Sequence, residues 1–292
     1  MKAIIAKQVP LSAVAMIIAV LLTFPVGADA QTGRDFFGPL QQMLVKDGFE
    51  ETAVSSLFRN PNVYFDITNI SRFFSHRESR LNYDQFITDS AISKARRYME
   101  TYQADLEGAE KTYAVEREVI TAIILVETQL GTIVGNRSVF NSLSSLASLL
   151  DPAVREQVWR EIQNPINLSK GDFDAWAARK SKWAYAELKS FLQYTQREAI
   201  NPTDINGSIA GALGIAQFMP SSIIAYAKDG DSDGRVDLFN HADAIASIAS
   251  YLKHYGWKPG IDPKKAYDVV FHYNRSSYYV NTILEIAERL KN

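Results

Sequence analysis

The chain has 292 residues, 47% of them apolar and 22% charged, so it can bury a substantial core and is not of disordered composition. Its 31 basic and 33 acidic side chains nearly balance at a formal charge of −2, which excludes the counterion-release attraction of a nucleic-acid binder. No cysteine occurs anywhere, which excludes disulfides, thiolate metal sites and a lipid-modified N-terminal cysteine.

Lys2 and Lys7 precede an apolar run from Val9 to Val26, and Ala28-Asp29-Ala30 supplies the small-x-small pattern of a cleaved leader. The expectation is a signal peptide over residues 1–30, a mature chain from Gln31 and a periplasmic location. The alternative is an uncleaved inner-membrane anchor, because the run approaches the ~20 residues of a spanning helix; Pro10 and Pro25, which bracket it, favour the leader. Residues 34–83 show a short helical patch around Leu40 and Leu44 and an ambiguous run at Val63-Tyr64-Phe65.

From Asp84 to Val115, apolar residues recur at three- and four-residue steps (Ala91, Ala95, Tyr98, Tyr102, Leu106, Ala109, Tyr113), which predicts one long amphipathic helix with Asp89 or Ser90 as candidate inner cap. A second helix is predicted from Glu116 through Val119, Ile120, Ile123, Ile124 and Val126, ended by Gly131. Helical spacing continues from Phe140 to Leu150, stops at Asp151-Pro152, and returns over Trp176–Gln196 and Ala242–Tyr255. Glycine-rich residues 206–214 and the Asp/Gly stretch 229–234 break the pattern, while Pro220 with Ser221-Ser222 reads as a helix start.

Glu127 falls four residues after Ile123, three after Ile124 and seven after Ile120, which puts its carboxylate on the apolar face of its helix. Apolar surroundings disfavour the ionised form, so the functional reading is a general acid; the competing one is a helix-end glutamate turned outward or paired with a core arginine. Asp229-Gly230-Asp231-Ser232-Asp233-Gly234-Arg235 matches the first half of an EF-hand loop, with oxygen ligands from Asp229, Asp231, Asp233 and the Arg235 carbonyl. Position twelve is Asn240, so Asp243 must close the site. Structural Ca²⁺ is the expected ion, with a solvated acidic turn as the alternative. His76, His241, His254 and His272 lack metal-ligand spacing and receive no catalytic role.

The run Val126-Glu127-Thr128-Gln129-Leu130-Gly131, the long run from Asn206 to Ser221 ending Gln217-Phe218-Met219-Pro220-Ser221, Trp257 after Tyr251, and Tyr273-Asn274 resemble the lytic murein transglycosylase B family. Leu130, Leu213 and Ala216 depart from residues common there. The resemblance implies a mainly α, lysozyme-like fold of the goose-type or soluble lytic transglycosylase kind. Its core would span about 113–149 and 201–292, a further helical region about 35–112 and 150–200, and a small β and EF-hand-like loop region about 205–243.

It further implies nonhydrolytic cleavage of the MurNAc-β-1,4-GlcNAc bond of peptidoglycan, with Glu127 as both acid and base and no cofactor needed for the chemistry. It assigns Ser208, Gln217, Tyr251, Tyr273, Asn274 and Tyr279 to the sugar subsites; for the tyrosines, core packing competes. The implied partners are glycan strands and cell-wall enzyme complexes, with a monomeric chain. A hydrolytic muramidase and a catalytically silent peptidoglycan-binding scaffold are the alternatives.

Overall fold

A computed structural model describes residues 35–75, 82–162 and 169–292. The leader-like run, its cleavage pattern and His76 lie outside these residues. Phe36–Asn292 form one unit by their contacts, built from helices α1 (Gly38–Lys46), α2 (Glu51–Phe58), α3 (Ile67–Ser75), α4 (Asp89–Thr101), α5 (Gln103–Tyr113), α6 (Arg117–Thr128), α7 (Val139–Ser148), α8 (Pro152–Glu161), α9 (Lys170–Arg197), α10 (Pro220–Tyr226), α11 (His241–His254), α12 (Pro263–Tyr273) and α13 (Ser277–Lys291). Among the described residues no helix is long and apolar enough to cross a membrane.

Local chemistry sets most helix starts. Ser169 and Asp172 form a reciprocal capping box at α9, and Asp151-Pro152 and Asp262-Pro263 combine a carboxylate cap with a proline in the first turn. α7 stops at Ser148, short of Asp151-Pro152, which begins α8 instead.

Two helices are buried almost all round and form the centre. α6 buries Val119, Ile120, Ala122, Ile123, Ile124 and Leu125 and packs on α4, α5, α11 and α13; α7 is buried along its whole length against α1, α3 and α9. Truncating any one of the isoleucines or leucines among these to alanine costs about 2–5 kcal/mol in a core of this kind.

The single helix expected over 84–115 is two. A 3₁₀ turn at Asp84–Phe86 comes first, Thr88 caps α4 through its hydroxyl (3.2 Å from Ala91 N), and Tyr102 leaves helical geometry at φ −107°, ψ 31°. The apolar rhythm is unbroken because Ala95, Tyr98, Leu106 and Ala109 all face the same core. His241 packs at this junction: the Tyr98 hydroxyl lies 2.9 Å from its Nδ1, and the Tyr102 ring stacks on it at 4.2 Å. In the N-terminal region α1 matches the patch at Leu40 and Leu44, α2 and α3 lie where the spacing predicts no helix, and Val63–Phe65 are coil.

The β structure is smaller than expected and begins earlier in the chain. β1 (Arg137–Ser138) pairs antiparallel with β2 (Asn206–Gly207), with Arg137 opposite Gly207 and Ser138 opposite Asn206. Gly135, at φ +95°, lies so close to Gly207 that a Cβ would come within 2.2 Å of its carbonyl oxygen. This contact lays the 206–219 loop against the end of α6.

Candidate active site

The last turn of α6 carries Glu127, and the chain beyond it is forced into an unusual path. Gln129, Leu130 and Gly131 follow with φ of 49°, 64° and 83°, three consecutive left-handed residues of which only one is glycine. Such conformations cost on the order of 1–3 kcal/mol each and persist only when the surroundings dictate them. Here Thr128, buried at 1% exposure, donates its hydroxyl to the Ile215 carbonyl at 3.0 Å and accepts the Gly131 N–H at 3.0 Å. Gly131 abuts His241, which leaves 2.8 Å where a Cβ would stand. The helix thus ends three residues before Gly131.

Glu127 is half-buried, and its Oε1 accepts the Tyr279 hydroxyl at 2.7 Å. Tyr279 sits in the first turn of α13, whose start Ser276 caps, and is 1% exposed. The Tyr273 ring lies nearly parallel to it at 6.3 Å and 9°, with its own hydroxyl donated to the Ala216 carbonyl at 2.6 Å. Burial, and secondarily the Glu127 charge, push both phenols well above their usual range, so both are neutral hydrogen-bond donors. One carboxyl oxygen is held in place by a donor that does not titrate near neutrality.

The 206–219 loop folds on itself beside this corner. Ser208 Oγ accepts the N–H groups of Ala210 (3.3 Å) and Ala212 (3.1 Å), and Gln217, at φ 46°, donates its Nε2 to the carbonyls of Val134 (3.0 Å) and Gly214 (2.8 Å). Asn69, fully buried on α3, donates to the Ile209 carbonyl at 2.8 Å and ties the loop to the N-terminal helices. Asn274 is half-buried where α12 ends. Tyr251, at 7% exposure, gives its hydroxyl to the His272 carbonyl and packs among Phe218, Tyr226, Tyr255 and Tyr273, so it supports Tyr273 from within the core.

In the Asp/Gly loop, oxygens of Asp229, Asp231 and Asp243 converge to within 4.8 Å of one another. Backbone N–H groups hold them there: Gly234 to Asp229 (2.9 Å), Asp233 to Asp231 (3.1 Å), and Gly230 and Asp237 to Asp243 (2.7 Å each). Burial pushes the Asp243 carboxyl up from its ordinary range. Asn240 caps α11 and donates to Asp231 at 2.6 Å. Asp233 stands apart from the converging trio, its carboxylate accepting the Arg235 N–H at 2.8 Å.

The transglycosylase SLT domain model matches residues 34–266, which takes in α6, the 206–219 loop and the acidic loop together. The chain belongs to the transglycosylase SLT domain family. Its relatives include the membrane-bound lytic murein transglycosylase B of Escherichia coli K12, 31% identical over 176 residues, which are 60% of this chain and 41% of that protein; the chain therefore aligns with less than half the length of that relative.

Two solved structures share the family fold. The soluble lytic transglycosylase SltB1 of Pseudomonas aeruginosa superposes with a TM-score of 0.70 at 25% identity, covering 86% of this chain and 97% of that one. SltB3 from the same organism, in complex with NAG-anhNAM-pentapeptide, gives 0.70 at 20% identity over 89% and 80%. The mainly α, lysozyme-like fold expected from the motifs is the fold of this SLT domain chain.

Sequence reasoning missed Tyr83, whose ring stands edge-on to Tyr279 at 6.4 Å and 86°. Nothing in its neighbourhood marks it, since the aromatic pairing spans almost two hundred positions of chain. His241, set aside for lack of a metal pattern, is the packing post between Tyr98, Tyr102 and Gly131.

Proposed function

We propose that this SLT domain chain is a peptidoglycan lytic transglycosylase in which Glu127 serves first as acid and then as base. The observation that carries the reading is the Tyr279–Glu127 hydrogen bond within a tyrosine corner at the strained end of α6. The Glu127 carboxyl group protonates the glycosidic oxygen as the bond to muramoyl C1 breaks and the N-acetylglucosamine end departs. The carboxylate then removes the proton of the muramoyl C6 hydroxyl while O6 bonds to C1, which closes a 1,6-anhydro ring and restores the acid. No water is consumed.

In this reading Tyr273 lines the sugar groove, while Tyr279, expected there from the resemblance, is buried behind Glu127 and orients the acid. Ser208, Gln217 and Asn274 frame the groove through the bent 206–219 loop and the α12 end, and Tyr251 backs Tyr273. Mass spectrometry of digested murein tests it: anhydro-ended muropeptides are expected. Reducing ends alone would mean a muramidase, and binding without cleavage a scaffold.

The Asp229, Asp231 and Asp243 carboxylates fit a hard divalent cation, since three converging acids held by backbone donors are the donor set Ca²⁺ takes. The Arg235 carbonyl and Asp233, by its place in the loop, complete the proposed set. The ion would brace the loop and take no part in bond cleavage. Export by the N-terminal leader to the periplasm, where the glycan strands lie, belongs to the same reading; fractionation with N-terminal sequencing of the recovered chain tests it, with Gln31 as the expected first residue.

A further inference from the structure

Glu187, in the second half of α9, is 6% exposed, and its carboxylate has no part in the site described above. Both of its oxygens meet one residue: Oε2 accepts the Ser221 N–H at 2.9 Å and Oε1 the Ser221 hydroxyl at 2.8 Å. Among the described residues no lysine or arginine pairs with it, although Lys189, two positions on, pairs with Asp47. Burying a carboxylate is costly, and here hydrogen bonds from Ser221, not a cation, offset that cost. The need for them lies in α10. Met219 stands at its N-cap with no side-chain cap, and Pro220 has no N–H, so the Ser221 N–H is the first that the helix presents. A serine or aspartate at position 219 would cap that start from within. A carboxylate from α9 does more, because it fixes the start of α10 against another helix.

The segment that leads into Ser221 is part of the proposed active site. Leu213 and Phe218 exchange their N–H···O bonds (3.0 and 3.1 Å) and close a turn that holds Ala216 and Gln217. The Ala216 carbonyl accepts the Tyr273 hydroxyl, and the Phe218 ring packs on Tyr273 at 5.8 Å. Tyr273 in turn lies along Tyr279, which is hydrogen-bonded to Glu127. Only Met219 and Pro220 separate the turn from Ser221, and the fixed φ of proline stiffens that link. We infer that Glu187 is a positioning residue for strand cleavage: clamped on Ser221, it sets the 213–218 turn, and with it Gln217 and Tyr273, against the sugar groove. This rests on the transglycosylase reading above. Glu187 touches no substrate and exchanges no proton; it controls how well the strand is seated.

The test measures kcat, KM and melting temperature on soluble glycan strands for Glu187→Ala, Glu187→Gln and Ser221→Ala, with kinetics taken well below each melting point. Equilibrium binding of the same strands is measured with Glu127→Gln added to each protein, so that strands stay uncut. In Glu187→Ala, KM should rise about three- to tenfold and binding weaken by a similar factor, as loss of one or two hydrogen bonds implies, with kcat within about twofold. Glu187→Gln keeps an amide oxygen for the Ser221 N–H, and its NH₂ can donate to the Ser221 hydroxyl, so KM should return close to native. Ser221→Ala removes one bond and should raise KM by about two- to threefold; it decides the matter if Glu187→Ala does not fold. A melting temperature that falls while KM and strand binding stay native overturns the inference and leaves Glu187 a helix cap. If the native protein cut no strand, the transglycosylase reading would fail. Strand binding would then decide for the clamp if Glu187→Ala weakened it, and against it if binding were unchanged or absent.

Discussion

Glu127 and the Asp229–Asp231–Asp243 trio are both built from carboxylates, and they are surrounded in opposite ways. Glu127 meets a phenol, a neutral side-chain donor that burial keeps from ionising, in a corner walled by Tyr83, Tyr273 and Tyr279. The three aspartates meet backbone N–H groups from a tight loop, which gather like charges at short range. The first arrangement orients one carboxylate with a neutral donor; the second gathers negative charge that backbone donors hold at short range. α11 joins the two, because it begins with His241 against Gly131 and two residues later carries Asp243 into the loop.

That contrast is broken most directly at Glu127. Glu127→Gln keeps size and hydrogen-bonding capacity but removes the transferable proton, and murein clearing should fall about 10³-fold with an unchanged circular dichroism spectrum. Clearing at the native rate would show that another group is the acid.

Next in size, Tyr279→Phe deletes the donor to Oε1 while keeping the ring, and kcat should drop about 10- to 100-fold, as loss of a hydrogen bond to a charged group implies. KM should change little, which a kinetic comparison on soluble glycan strands reads out.

The acidic loop should respond in stability where Glu127 responds in rate. Calcium at 100 times its dissociation constant should stabilise the native protein by about 2.7 kcal/mol in thermal melts. Asp243→Asn should lose that gain yet still cut strands within a few-fold of the native rate. If chelation stopped cleavage without lowering the melting temperature, the division of labour between the two sites would be wrong.

The smallest effect concerns His241, where the two regions meet. Burial depresses its pKa, so its contribution to stability is present above the ordinary imidazole value and is lost as pH falls through the lower folded value. Melting temperature in chelator should therefore decline on acidification below about pH 6.5, the ordinary imidazole value. In His241→Phe this slope should be shallower.

Much of this was legible in the amino-acid order because short-range rules write it there. The apolar spacing of Ile120, Ile123 and Ile124 placed Glu127 on the inner face of α6, and the structure puts it against the buried Tyr279. Pro220 started α10, and the spacing from Ala242 marked α11, which begins one residue earlier. The Asp/Gly spacing marked the loop in which Asp229 and Asp231 converge, though not that Asp233 would turn to the Arg235 N–H. Periodicity carries no trace of the break at Tyr102, because α4 and α5 bury the same face.

By itself, then, the sequence determined the helices with strong apolar rhythm, the place of Glu127 on an inner helix face and the acidic loop, though not the Thr88 cap that starts α4 in place of Asp89 or Ser90. Only the tertiary structure decided that Tyr279, with Tyr83 and Tyr273 about it, would meet Glu127, and that His241 would stand against Gly131 beyond the end of α6. These depend on which helices pack together, and packing is chosen by the shape and burial of whole faces, a quantity that no local spacing encodes.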